Sequence, residues 1–345
     1  MRTNYPLNCW YVAALSDEVG DGLLARRLLG KHVVLYRRAS GEVVALEDRC
    51  VHRAYPLSEG RLDGDRLVCG YHGFSYEPDG CLADVPSQEN VPPGARVEAY
   101  PIVETAPFIW IWLGEPRAAA LRPPPRVPWY LDGSGWTGST EVVRVEANYL
   151  LLHEHYLDLT DVFVTRPEMV PPDIQQLPPL DEVEISERSV AYTRTTQPSR
   201  LAPWESAITG LPEETVAIRR EEGTFVSPAL HTQHYAIDVV DGKSYELLRI
   251  HGFTPESPGA THVFLQLARN HAGAEDTITE YLRIMFHEWA LRNATILETI
   301  QRRLDEPGAT RRDINVKADR AALRARRIAM DMDMVDDETS RFTAN

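Results

Sequence analysis

Through the first third of the chain, apolar positions come in short stretches of strand length. Lys31–Tyr36, Glu42–Leu46, Arg66–Val68 and Phe108–Leu113 are rich in β-branched, leucine or aromatic residues, and Ser40-Gly41, Asp63-Gly64 and Asp79-Gly80 stand between them as turn signals. This pattern predicts an all-β N-terminal domain over residues 1–115. Five prolines among the fourteen residues from Pro116 to Trp129 predict a stiff, extended linker over 116–129. Beyond it the pattern changes: a helix is expected over Asn148–Val164, and strands at Val190–Thr196, Gln233–Val240, Tyr245–Phe253 and His262–Ala268. A long helix follows from Thr277 to Leu304. Its apolar residues Tyr281, Ile284, Met285, Trp289, Ile296, Leu297 and Ile300 recur mostly at three- and four-residue steps, which predicts one buried face. Arg320–Glu338 reads as a charged helix with a frayed end, and no internal repeat is present. The expected class is α+β: an all-β domain, then an antiparallel sheet with helices over 130–345.

Composition narrows the function classes. Hydrophobic residues at 43% and charged residues at 25% are those of a globular protein. Thirty-six basic against fifty-one acidic side chains give a net charge of −15, which repels phosphate backbones and anionic lipid, so neither nucleic acid nor membrane is an expected partner. No apolar run reaches the roughly eighteen residues of a spanning helix, and the stretch after Met1 is too short and aromatic for an export signal, so a cytoplasmic location is expected. The four cysteines, Cys9, Cys50, Cys69 and Cys81, are too few for a disulfide scaffold; a metal or redox role fits a reducing compartment better.

Two of the cysteines are paired with histidine. Cys50-Val-His52 and Cys69-Gly-Tyr-His72 lie sixteen residues apart, so two hairpin tips can each offer one thiolate and one imidazole. Two thiolates on one iron and two imidazoles on the other describe a Rieske 2Fe-2S centre. Zinc is the competing metal, but zinc fingers usually pair cysteine with cysteine and histidine with histidine along the chain. Gly70 and Gly73 permit close backbone approach, and Pro56 stiffens the first loop.

The segments Asn8-Cys-Trp-Tyr-Val-Ala13, Asp48-Arg-Cys50-Val-His52-Arg53, Tyr71-His-Gly-Phe74, Asp79-Gly80 and Val85-Pro-Ser87 resemble the N-terminal domain of Rieske non-haem iron oxygenase α subunits. The likeness is to the branch of vanillate and dicamba O-demethylases and toluenesulfonate methyl-monooxygenase. His251-Gly-Phe-Thr-Pro-Glu256 and Leu267-Ala-Arg-Asn270 extend it into the C-terminal domain, for which the resemblance implies a helix-grip-like fold. It also implies a cluster on Cys50, His52, Cys69 and His72, and a mononuclear Fe(II) on two histidines and one aspartate.

At the positions matching those three iron ligands the chain carries Asp161, Arg166 and Asn293. A permanently protonated arginine opposes a ferrous ion, so the mononuclear iron is doubtful. Either an Asp161–Arg166 salt bridge hydrogen-bonded by Asn293 fills the cavity, or a rearranged metal site draws on His153 or His155 with help from His231, His234 or His287. Asp158 keeps the position that in the family bridges the cluster of one subunit to the iron of the next in a head-to-tail trimer.

The resemblance implies an oxidoreductase, the oxygenase component of an NAD(P)H-driven monooxygenase or O-demethylase system, fed by a ferredoxin or flavin reductase. With its own iron ligands replaced, the chain would relay electrons to a neighbouring subunit's iron, and its expected assembly is a homotrimer or a hetero-oligomer with an intact α subunit. A non-catalytic α-like partner, or a catalyst with a relocated metal, are the other readings. A small aromatic or carboxylated substrate is the expected ligand. Leu201–Leu230 is expected to be an irregular pocket segment, with Trp204, Phe225 and His234 lining it, and Arg49, Arg53 and Arg61 are the expected docking cations for the electron donor.

Overall fold

The computed structural model describes residues 5–126, 135–240, 242–308 and 313–343. The chain divides into two compact units, one built on Leu7–Arg126 with Thr254–Ser257, the other on Val127–Phe253 and Pro258–Asn345.

The strands of the first unit are β1 (Trp10–Leu15), β2 (Leu24–Leu28), β3 (Lys31–Arg37), β4 (Val43–Glu47), β5 (Arg61–Asp63), β6 (Arg66–Val68), β7 (Ser75–Tyr76), β8 (Leu82–Asp84), β9 (Ile102–Thr105) and β10 (Phe108–Trp112). They form three small antiparallel sheets, β1-β10-β9, β2-β3-β4 and β5-β6-β7-β8. Val34, Tyr36, Leu46, Leu57, Leu67 and Tyr76 make a buried core into which Cys50 and Cys69 are set. Burying side chains of this size contributes roughly 1.5–3 kcal/mol each before entropy is subtracted. The connector does not begin as an extended segment. Pro116–Ala119 forms a helical turn, α1, because proline suits a first helical position and the Glu115 carboxylate accepts from the Arg117 N–H. Residues 127–129 of the expected linker lie outside the described residues.

The second unit contains β11 (Thr137–Val145), α2 (Tyr149–Asp158), α3 (Val162–Thr165), β12 (Glu182–Ile185), β13 (Val190–Thr195), β14 (Ser199–Arg200), α4 (Pro203–Thr209), β15 (Val216–Ser227), β16 (Leu230–Val239), β17 (Ser244–Ser257), β18 (Ala260–Arg269), α5 (Asp276–Leu304) and α6 (Arg320–Thr343). Its sheet is antiparallel in the order β11-β18-β17-β16-β15-β13-β12, with β14 paired to β15. The α+β class holds.

Four expectations are corrected. The helix expected over Asn148–Val164 is two helices, because Leu159 ends α2 in the left-handed region at φ 54°. On α5 the buried residues are Leu282, Trp289, Asn293, Ala294, Leu297 and Gln301, while Tyr281, Ile284 and Ile300 face outward. The two amides on the buried face hid its true phase: Gln301 accepts from the backbone N–H of Asn148 at 2.9 Å, and Asn293 points into the site described below. The segment 201–230 is not irregular but contains α4 and the twelve-residue strand β15. On β15 the inward positions include Arg219 and Glu221, so its alternation is of accessibility and not of polarity. Finally, the Arg320 segment is helical through Thr343.

Candidate functional site

The two Cys-His loops are closed in the same way. Cys50 donates its backbone N–H to Tyr55 O and accepts from the N–H of Ala54, both at 2.9 Å. Cys69 donates to Phe74 O at 2.8 Å and accepts from the N–H of Gly73 at 3.1 Å. The fifth residue of each ring is left-handed: Ala54 at φ 54° and Gly73 at φ 77°. Gly70 is required by proximity, since a Cβ there would lie 2.6 Å from the Glu59 carbonyl oxygen.

This backbone places both thiols inside, each 2% exposed, and both imidazoles at the surface. The His52 and His72 rings lie 4.6 Å apart between centroids, and His52 is stacked on Phe74 at 4.7 Å. The pKa of His52 is lowered by burial, then by the neighbouring His72 and Arg53. Burial pushes the Cys69 thiol up, while the N–H groups of Tyr71 and His72 point at its sulfur and favour the thiolate. The Tyr76 hydroxyl lies 3.1 Å from Cys50 Sγ and accepts from the Val51 N–H at 3.1 Å. Two buried sulfurs with hydrogen-bond donors aimed at them, beside two surface imidazoles, are a donor set that fits a 2Fe-2S cluster. Cys50, Cys69, His52 and His72 would hold it. Around these loops Val51 and Tyr71 are exposed, as are Arg49, Arg53 and Arg61.

In the second unit α2 is capped by the Asn148 side chain, which accepts from the Leu150 N–H at 2.9 Å. At the other end Asp158 is partly exposed and its Oδ1 accepts from the Thr160 hydroxyl at 2.8 Å. Asp161 and Arg166 come together: Arg166 Nη2 donates to Asp161 Oδ2 at 3.3 Å, and the Thr165 hydroxyl donates to the same oxygen at 2.7 Å. Arg166 is only 4% exposed. The expected Asn293 bond to this pair is not made. Asn293 Nδ2 instead donates to the Tyr156 hydroxyl at 3.4 Å, because α5 brings the amide against the Tyr156 side of α2. The buried polar atoms without a hydrogen-bond partner here include His155 Nε2, Asp161 Oδ1, Arg166 Nε and Asn293 Oδ1. Burial lowers the pKa of His155, against smaller opposing effects of Asp161 and Asn293.

Three of the other histidines lie together, with ring centroids 6.3 Å apart for His153 and His231 and 5.7 Å apart for His231 and His251. His153 bonds the Pro228 carbonyl at 3.0 Å; His234 and His287 are each 2.8 Å from a carboxylate, Glu246 and Glu141. Phe225 packs on His153, and His234 sits on the other side of its strand from Gln233, so neither lines the cleft as expected; Trp204 does. Glu154 is paired with Arg326 of α6. A carboxylate, a guanidinium and an amide at the three matching positions, Asp161, Arg166 and Asn293, do not fit the usual His-His-Asp iron site.

The cleft opens to solvent and, with the solvent at its mouth included, spans about 860 Å³ of empty space. Of its four arginines, sequence reasoning named Arg166 and missed Arg194, Arg219 and Arg249. A signal was there: Arg249 falls in phase with Leu247 and His251, the inward residues of β17. Arg194 bonds Glu221 at 3.3 Å, and Arg219 bonds Glu205 at 3.0 Å. Arg166 and Arg249 also line an adjoining space of about 510 Å³ that reaches Tyr156, His251 and Asn293.

Comparison with known proteins matches both parts of the chain to known domains. Residues 9–101 match the Rieske [2Fe-2S] domain, and residues 145–332 match the vanillate O-demethylase oxygenase C-terminal domain. The toluene-4-sulfonate monooxygenase system iron-sulfur subunit of Comamonas testosteroni is 41% identical over 162 residues, 46% of each chain, so this chain spans about half the length of that relative. A vanillate O-demethylase oxygenase subunit from Pseudomonas sp. strain HR199 is 27% identical over 87% of both chains. The crystal structure of dicamba monooxygenase bound to 3,6-dichlorosalicylic acid superposes with a TM-score of 0.89 at 25% identity, covering 96% of this chain and 98% of that one.

Proposed function

Because this chain belongs to the Rieske oxygenases with a vanillate O-demethylase-type C-terminal domain, we propose that it is an oxygenase component that passes electrons to a neighbouring subunit's iron. It would take them from a ferredoxin or flavin reductase. The carrying observation is the buried Arg166 guanidinium, ion-paired with Asp161. Arg166 brings a fixed positive charge into the place matching a metal ligand, and Asp161 neutralises it. No step is therefore assigned to an iron in this chain.

When bound, the 2Fe-2S cluster supplies one-electron storage at a potential raised by its imidazole ligands. The protein's part is to shape its surroundings. The Tyr71 and His72 N–H groups and the Tyr76 hydroxyl stabilise negative charge on the cysteine sulfurs. His52 and His72 present ring edges at the surface, where a partner can meet them. Asp158, with one oxygen held by Thr160, is the carboxylate that would meet the imidazole of an adjacent subunit. Arg49, Arg53 and Arg61 supply local positive charge on an acidic chain, which suits docking of an acidic electron donor.

Iron analysis and EPR on anaerobically purified protein test the reading. The expected result is about two irons per chain, a reduced Rieske signal, and no ferrous-nitrosyl signal on adding nitric oxide. The reduced protein should also lose its electron to an intact oxygenase subunit in a mixed sample. A third iron giving a nitrosyl signal would overturn it.

A further inference from the structure

One wall of the cleft is a strap, residues 167–180; the sheet, α3, α4 and α5 supply the others. Five prolines in the strap, Pro167, Pro171, Pro172, Pro178 and Pro179, lack the N–H that a ladder or a helix interior needs. Its backbone bonds close local turns, from Val170 N–H to Pro167 O at 3.2 Å and from Ile174 N–H to Pro171 O at 3.0 Å, and the sheet takes hold only where Asp181 donates to Thr193 O at 2.9 Å. Met169, Val170, Pro171, Ile174 and Leu177 line the cleft, while Glu168, Asp173, Gln175 and Gln176 are exposed. Side chains tie the strap to three neighbours. Arg292 of α5 donates to Glu168 at 2.9 Å, and the Trp204 indole of α4 donates to Met169 O at 3.0 Å. Arg200 of β14 grips Asp173 three times, through Nη2 at 2.7 Å, Nε at 3.1 Å and its backbone N–H at 3.0 Å. Both ion pairs are about half exposed, with the weaker of their side chains still 39% accessible, so each contributes little and salt screens it. On its other side the strap borders a groove, where Pro167, Val170 and Pro172 face Ile284, Met285 and Trp289 of α5. That groove spans about 1380 Å³ of empty space when the solvent over it is counted, and Val170 and Trp204 line both it and the cleft. Outward movement of the strap therefore exchanges one apolar neighbour for another, at small cost in exposed apolar area.

We propose that the strap is a gate that sets the width of the cleft's mouth: it swings into the α5 groove on the Glu168–Arg292 contact, and the Asp173–Arg200 pair is the clasp that holds it in. Glu168 and Arg292 both line the groove, so their contact survives the movement. Asp173 and Arg200 line neither space, and theirs is the contact that must part. Release also frees the Trp204 indole from Met169 O, which leaves the inner wall without its tie to α4. Passage into the cleft is thus limited by an exposed, salt-sensitive ion pair rather than by the buried pairs of the sheet. The inference stands apart from the electron-relay reading, because passage involves neither iron nor an electron.

The test is the rate at which N-ethylmaleimide, a small neutral reagent, labels a thiol placed inside the cleft of the cluster-loaded protein by Leu247→Cys. Leu247 of β17 lines the cleft and is 2% exposed. Mass spectrometry of the peptide spanning position 247 reads this thiol apart from Cys9 and Cys81. Adding Asp173→Asn should speed labelling about three- to tenfold, whereas Glu168→Gln should change it by less than about twofold. Raising salt from about 0.05 to about 1 M should speed labelling when Asp173 is present and do little in Asp173→Asn. About 1 M urea should leave the rate within about twofold, since local opening exposes little surface, while a route through global unfolding would accelerate steeply. Equal rates with and without Asp173→Asn, an equal or larger effect of Glu168→Gln, or labelling only through the urea-sensitive route overturns the proposal. Should Leu247→Cys fail to fold, Val162→Cys on α3, which lines the same cleft, carries the thiol.

Discussion

The two halves of the chain treat their polar groups in opposite ways. At the cluster loops the backbone closes two matching rings, and the sulfurs are met by N–H and O–H donors. In the cleft, side chains of opposite charge face one another directly, and buried atoms of His155, Asp161, Asn293 and His231 are left without partners. A site that serves a ligand common to a whole family can be built into backbone geometry. A site written in side chains retains unsatisfied groups wherever packing leaves a buried polar atom without a partner.

The contrast can be broken most severely at Arg166. Arg166→Met should leave the Asp161 carboxylate in a largely buried setting without its counter-charge. Removal of one partner costs about 3–5 kcal/mol in fully buried pairs, and the partial exposure of Asp161 reduces this to about 2 kcal/mol. Adding Asp161→Asn should recover about half of it, measured as the denaturant midpoint. An unchanged midpoint in Arg166→Met would show that the pair has no structural weight.

Acid sharpens the same contrast. Burial holds the His153 pKa at about 4, against an ordinary 6.5, among Phe225 and Phe253 rings 4.7 Å away. The unfolded chain therefore takes up this proton first: the contribution is intact above pH 6.5 and is lost as pH falls from 6.5 to 4. The loss approaches about 1.4 kcal/mol per pH unit. His153→Phe should flatten the pH dependence of stability in that window by about one proton; an identical slope would assign it to other groups.

At the cluster, Tyr76→Phe removes a donor to Cys50 Sγ. The reduced, more negative cluster loses more than the oxidised one, so the potential should fall by roughly 40 mV, about 1 kcal/mol for one electron. Protein-film voltammetry measures it, and a rise or no change would remove Tyr76 from the tuning of the cluster. The smallest expected effect is at the surface: Arg53→Glu should slow reduction by an acidic donor by about threefold at low salt, and the difference should vanish above about 0.5 M salt. Equal rates at low salt would place donor docking elsewhere.

These regions also differed in how far they could be read without coordinates. Cys50 and His52, or Cys69 and His72, are so close in the chain that spacing alone brings each pair to one loop. Asp161, Arg166 and Asn293 were identified only by their matching positions, and the bond expected between Asn293 and the ion pair went to Tyr156 instead, since this contact between α2 and α5 depends on packing across 137 residues. The strand β15 was mistaken for irregular chain for a related reason. Its inward Arg219 and Glu221 are made tolerable by Glu205 and Arg194, residues on other elements that no local pattern reveals. Arg249 escaped notice because an arginine between Leu247 and His251 looks like a surface residue until the sheet assigns it a face.

The ring that closes each Cys-His loop has a consequence for maturation. Its hydrogen bonds run from main chain to main chain and employ no ligand atom. The loops are thus cast by the polypeptide itself, and delivery of iron and sulfide becomes the filling of a standing mould, a step that can wait until translation and folding are complete.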